Sequence, residues 1–89
     1  MSDTLIPMTE PRLDAHLAHR TDPSRNMARF YHVVIEIDLF GDICLTRNWG
    51  RIGTNGRDHR QVYGTWNAAA EAMEKLVVAK QRRGYRPPA

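Results

Sequence analysis

Residues 47–60 read Arg-Asn-Trp-Gly-Arg-Ile-Gly-Thr-Asn-Gly-Arg-Asp-His-Arg, in which one tryptophan and four arginines face a single aspartate. Planar guanidinium groups match phosphate oxygens and position a nucleic acid without reading its sequence. An accessible aromatic ring adds a face for a base or sugar, and base stacking is worth about 1–3 kcal/mol whatever the base. Trp49 with Arg47, Arg51, Arg57 and Arg60 could therefore bind an anionic polymer. A second basic group, Lys80, Arg82, Arg83 and Arg86, follows near the C-terminus. Lys80, Arg83 and the neighbouring Tyr85 extend the same surface if the two segments lie side by side. The same residues also admit a purely structural reading. Trp49 would then be a sheet-packing aromatic, and the arginines would be solvated charges that keep an exposed strand edge from pairing with other sheets.

Other reactive residue types offer less. The four histidines, His16, His19, His32 and His59, show no recognised zinc-ligand spacing, so no metal site is expected. Cys44 has no partner histidine or aspartate in sequence and reads as a buried, inert thiol. No glycine-rich phosphate loop opens a helix, and no nucleophile elbow is present. Without a nucleophile, base and oxyanion donors, the chain reads as a non-enzyme that needs no cofactor.

The elements that position the basic residues can be traced from the hydrophobic pattern. Phe30 to Leu39 alternates as a strand, with Tyr31, Val33, Ile35, Ile37 and Leu39 on one face. Phe40-Gly41-Asp42 turns the chain into a second strand, Ile43 to Arg51. Unbroken alternation groups Ile43, Leu45, Arg47 and Trp49, and the arginine conflicts with a buried face. Either a bulge near Asn48 re-aims the side chains or this end of the strand leaves the core; Gly50 and Gly53 favour a local irregularity. Asn55-Gly56 is expected at the tip of a type I′ hairpin returning as Asp58 to Tyr63. Leu13, Ala15 and Leu17 alternate as a shorter strand, and Thr21 to Ser24 signals a turn. From Trp66 the period changes: Trp66, Ala69, Ala70, Met73, Leu76 and Val77 form a helical stripe, capped by Thr65 or Asn67 and ended by Gly84.

With 89 residues, 42% hydrophobic and 26% charged, the chain suits one small folded domain. Its one cysteine excludes an internal disulfide, and no stretch of about 18 apolar residues is present, so a cytoplasmic protein without membrane contact is expected. The formal charge of +3 is uneven: residues 1–25 hold three Lys or Arg against four Asp or Glu, and residues 26–89 hold ten against six. The basic character belongs to the C-terminal part, which favours an anionic partner there.

The Trp49-Gly50-Arg51-Ile52-Gly53 run resembles a WGR domain. The likeness extends from about Leu17 to Tyr85 and includes the Phe30-Tyr31 strand start, the Asp-Leu-Phe-Gly turn at 38–41, the Asn-Gly hairpin and a helix ending in Gly84-Tyr85. Among bacterial stand-alone proteins of this kind, the Arg25 to Tyr31 segment is also similar. The resemblance implies an antiparallel sheet with one helix packed on it. In DNA-dependent poly(ADP-ribose) polymerases such a module helps sense broken DNA, its tryptophan against a sugar near a 5′ end and its arginine in contacts around the break. By resemblance those roles fall on Trp49 and Arg51, while no transferase region is found in these 89 residues.

The expectation is an α+β domain over residues 12–86, about four antiparallel strands with one C-terminal helix, between an N-terminal arm at 1–11 and a tail at 87–89. Its expected role is nucleic-acid binding, to DNA or alternatively RNA, with little base specificity and with strand ends or breaks as candidate targets. Trp49, Arg51, Arg47, Arg57, Arg60, Lys80, Arg83 and Tyr85 would make the contacts, and Gly50, Gly53, Asn55 and Gly56 would shape the hairpin. The alternative is a protein-interaction adaptor, or a homodimer formed through strand edges or the N-terminal arm.

Overall fold

The computed structural model of the protein describes residues 13–88; the arm expected at 1–11 lies outside them. Four strands run as a meander in the spatial order β1-β2-β3-β4, all pairs antiparallel: β1 Leu13–Asp22, β2 Met27–Ile37, β3 Ile43–Arg51 and β4 Arg57–Tyr63. One helix, α1 (Trp66–Arg82), then crosses a single face of the sheet. The α+β class read from the sequence is the observed one.

Alternation in β2 decides which face is covered. Tyr31, Val33 and Ile35 are buried and meet the helical stripe of Trp66, Ala69, Ala70, Met73, Leu76 and Val77. Burying Val33 and Ile35 stabilises the fold by about 1.5–3 kcal/mol each. Pairing β2 with β3 sets Ile43, Leu45, Arg47 and Trp49 on that same inner face, opposite Ile37, Ile35, Val33 and Tyr31. The register continues without interruption through Asn48, so no bulge re-aims Trp49. Instead the apolar part of β3 ends at Leu45, and the strand carries Arg47 and Trp49 to the margin of the core.

Three local expectations are corrected. In β1 the buried side chain is Ala18, while Ala15 and Leu17 are exposed; cross-strand pairing of Ala18 with Tyr31 points the even-numbered residues inward. Leu39 is not a strand residue at all: with Phe40 it stands at the exposed tip of the β2–β3 turn. The β3–β4 connection is not a two-residue Asn-Gly hairpin, since Asn55 lacks the positive φ that a type I′ turn needs. Gly53 at φ 95° and Gly56 at φ 68° take that conformation, and Thr54 N–H donates to Arg51 O at 3.0 Å.

Gly50 and Gly56 meet on the outer side of β3. A Cβ on Gly50 would lie 2.8 Å from Gly56 Cα, and one on Gly56 would strike Trp49 O and come within 2.7 Å of Phe30 Cζ. Gly50, one of the two glycines expected at an irregularity, thus makes a close backbone approach, with the Phe30 ring beside it and Gly56, whereas a Cβ on Gly53 would meet nothing within 4 Å.

The β2–β3 turn is held by one carboxylate. Asp38 accepts from the amides of Phe40 and Asp42, both at 2.9 Å, and from the Arg60 guanidinium at 2.7 Å. These bonds, that of the Asp42 amide foremost, hold its pKa below the ordinary carboxylate value while desolvation acts the other way. At the C-terminus of α1, Gly84 turns left-handed at φ 95°, Gly84 N–H donates to Gln81 O and Tyr85 N–H to Lys80 O, a Schellman closure. Arg86 then pairs with His19 of β1 through two backbone bonds of 2.7 and 2.8 Å.

Two stability predictions follow from this geometry. Gly56→Ala should destabilise the fold by at least about 1 kcal/mol in denaturant unfolding, because both its φ and its neighbours oppose a side chain. Gly64→Ala, where a Cβ meets nothing within 4 Å, should be neutral or mildly stabilising; equal effects would contradict the steric account. The Asp38 contribution should be complete above the unfolded carboxylate value of about 3.9, then fade as pH falls through the lower folded value. Asp38→Asn should thus be less stable than the parent at neutral pH, and the gap should close in acid. A gap of constant size across that range would show that the charge is not what matters.

Candidate nucleic-acid interface

Strand alternation and register gather cations around Trp49. Arg47 precedes it by two residues on the same face, Arg57 is its partner on β4, and Tyr31 is its partner on β2. The Trp49 ring is half-buried at the core margin, with the Arg47 guanidinium carbon 5.8 Å from its centroid. Helix α1 passes so that its last turns face this end of the sheet. Arg47, Trp49, Lys80 and Arg83, together with Tyr31, line a cavity of about 240 Å³ floored by Leu76 and Ala79. Of the four arginines at 47–60, only Arg47 lines this cavity with Lys80 and Arg83.

The electrostatics of this cavity are one-sided. No acidic residue lines it, and among the described residues no carboxylate forms an ion pair with Arg47, Lys80 or Arg83. Lys80 has its pKa lowered first by desolvation and then by repulsion from Arg83, Arg47 and Arg29. Its ammonium lies 4.7 Å from the Tyr31 ring centroid and 5.1 Å from that of Tyr85, so ring faces stand where a counter-anion is absent. The Tyr31 hydroxyl is buried without a hydrogen-bond partner of good geometry. Burial pushes that phenol above its ordinary pKa, and the Arg47 guanidinium acts against the shift.

Other residues singled out from sequence lie elsewhere or are engaged. Arg51 points to the same inner face, but its guanidinium donates to Asn26 O at 3.1 Å and to Asn26 Oδ1 at 3.3 Å. Asn26 is the left-handed residue (φ 52°) that ends the β1–β2 turn, so Arg51 ties that turn to β3. Arg60 is on the outer face, pairs with Thr46 and is held by Asp38; it stands apart from Trp49. Tyr85 is buried edge-on against Tyr31, centroids 6.4 Å apart, and supports Lys80 rather than facing solvent. Gly50, Gly53, Asn55 and Gly56 shape the hairpin, and Asn48 Nδ2 donates to Asn55 O at 2.9 Å.

Two participants were missed in the sequence. Tyr31 reads as core from its alternation, and only the register opposite Trp49 places it at the cavity. Arg29 pairs with Arg51 and adds to the positive field at Lys80; its place two residues before Tyr31 on the same face was the available signal. Among the described residues no group of three His, Cys, Asp or Glu could hold a metal. Cys44 is buried on the opposite face, its thiol pKa raised by desolvation.

Comparison with known proteins agrees with this architecture. A crystal structure of a Bacteroides fragilis protein superimposes with a TM-score of 0.69 over 85% of this chain and 20% of its own length; at 20% identity the likeness speaks to fold alone. The uncharacterized protein y4dW of Sinorhizobium fredii is 47% identical over 88 residues, 98% of this chain. The present chain spans only 42% of that relative's length. The WGR domain family matches residues 14–89, a span that includes the Trp49-Gly50-Arg51 run, and this chain belongs to the WGR domain family.

Proposed function

We propose that this chain is a nucleic-acid-binding module that engages DNA at strand ends or breaks, without base specificity and without catalysis. The observation that carries the reading is the half-exposed Trp49 ring amid cations that no described carboxylate neutralises, beside a cavity lined by Arg47, Lys80 and Arg83. Phosphates would meet Arg47, Arg57, Lys80 and Arg83, and Trp49 would lie against a terminal sugar or base. WGR domains of DNA-dependent poly(ADP-ribose) polymerases are associated with nucleic-acid binding, which supports the assignment at family level.

A second reading, a protein-interaction adaptor, is favoured by one observation. Leu39 and Phe40 project from the β2–β3 turn at 101% and 89% exposure, at the far end of β3 from Trp49. Light scattering and pull-downs with and without nuclease separate the two readings: capture that survives nuclease supports the adaptor.

Fluorescence anisotropy with blunt, nicked, closed-circular and single-stranded probes at two salt concentrations tests the first reading. Four neutralised phosphates predict a log-log salt slope of about −3.6 on duplex DNA. Trp49→Ala should weaken end binding about tenfold, the equivalent of about 1.4 kcal/mol of stacking, and erase any preference for ends over circles. Absence of binding even at low salt would remove the proposal.

A further inference from the structure

Trp49 stands at one mouth of a longer depression. The cavity beside it and a second cavity of about 270 Å³ have Arg47 and Leu76 as common lining residues, so the two adjoin along the flank of α1. The second continues past His59, Gln61 and Lys75 to Tyr63. It exists because α1 packs over β2 and β3 and leaves β4 uncovered: six of the seven β4 residues are exposed, and only Tyr63 is half-buried. No acidic residue lines either part.

The chemistry of this groove repeats along its length. Arg47 and Lys75 supply positive charge at successive points, and Trp49 and Tyr63 place aromatic rings at its two ends. A basic groove with aromatic faces is the arrangement by which proteins hold an unpaired strand, phosphates on the cations and bases on the rings. Each half is smaller than the usual pocket for a drug-sized ligand, about 300 Å³ upward.

We infer that this groove receives the single-stranded extension of a DNA end, which enters beside Trp49 and runs past Arg47 and Lys75 to Tyr63. The inference rests on the nucleic-acid reading above and names the form of substrate that reading leaves open. Its length is set by the sheet. Trp49 is opposite Arg57, and the six strand steps from Arg57 to Tyr63 span about 20 Å at about 3.4 Å each. At 3.4 Å per stacked nucleotide that is room for about six nucleotides.

The test is an anisotropy series on one duplex with extensions of graded length, in both polarities, at fixed low salt. Affinity should rise with extension length in at least one polarity, by about tenfold in total, and level off at about six nucleotides. Lys75→Ala, an exposed substitution outside the Trp49 cavity, titrated over a range of salt concentrations, should reduce the salt slope by about 0.7 on the extended probe and leave the blunt probe unchanged. Equal affinity for blunt and extended ends overturns the groove while leaving the end-binding reading intact. A length-dependent gain that Lys75→Ala does not diminish also overturns it. Failure to bind any probe, blunt included, would overturn both.

Discussion

A lysine ammonium lodged against two tyrosine rings sets the form of the basic end. Lys80 reaches Tyr31 on one side and Tyr85 on the other, and each contact depends on a different part of the chain. Tyr31 is delivered by strand alternation, and Tyr85 by the left-handed turn at Gly84 that ends α1. The turn also sends Arg86 back to pair with β1. The helix end, the last chain segment and the sheet therefore converge on one partly desolvated cation. Removing such a charge from water is costly, and repulsion from Arg29, Arg47 and Arg83 adds to the cost. A fold selected for stability alone would place a carboxylate there or an apolar side chain; the unopposed cations are a local inconsistency that stability does not account for.

The Trp-Gly-Arg triplet divides into three distinct physical roles because a strand alternates. Trp49 turns inward to the cavity. Gly50 turns outward, where the returning loop comes so close that a Cβ would collide with Gly56. Arg51 turns inward again at the strand end, where Asn26 captures its guanidinium with both backbone and side-chain oxygens. The triplet thus lines the cavity with its first residue, lets the returning loop close against the outer side of β3 with the second, and fastens the neighbouring turn with the third.

Much of this was legible in the residues. The β2 alternation, the β3 span and the helical stripe from Trp66 rest on strong periodicity, and Thr65 caps α1 as its chemistry requires, accepting from Ala68 N–H at 3.0 Å. What could not be read is what depends on register. Ala18 wins the buried place in β1 because it opposes Tyr31, although Leu17 is the more hydrophobic residue. Arg60 sits three residues from Arg57 in sequence, and that odd offset puts it on the opposite face, where Asp38 claims it. A sequence shows that arginines are numerous; pairing decides which of them share a surface.

The two ends of β3 are consequently different in kind. At the β2–β3 turn, charge is internally satisfied: Asp38 binds two amides and Arg60, and Arg60 also donates to the Cys44 sulfur at 2.9 Å. What projects there is apolar, Leu39 and Phe40. At the other end, Trp49 provides a ring and the surrounding cations have no anionic partner among the described residues. Electrostatic attraction acts over about a Debye length, roughly 8–10 Å in physiological salt, which is short beside the length of a nine-residue strand of about 3.4 Å per residue. The basic field around Trp49 is accordingly confined to its own end, and an anionic polymer drawn to it would meet the tryptophan, the cavity and the open flank of α1 before it reached the apolar turn.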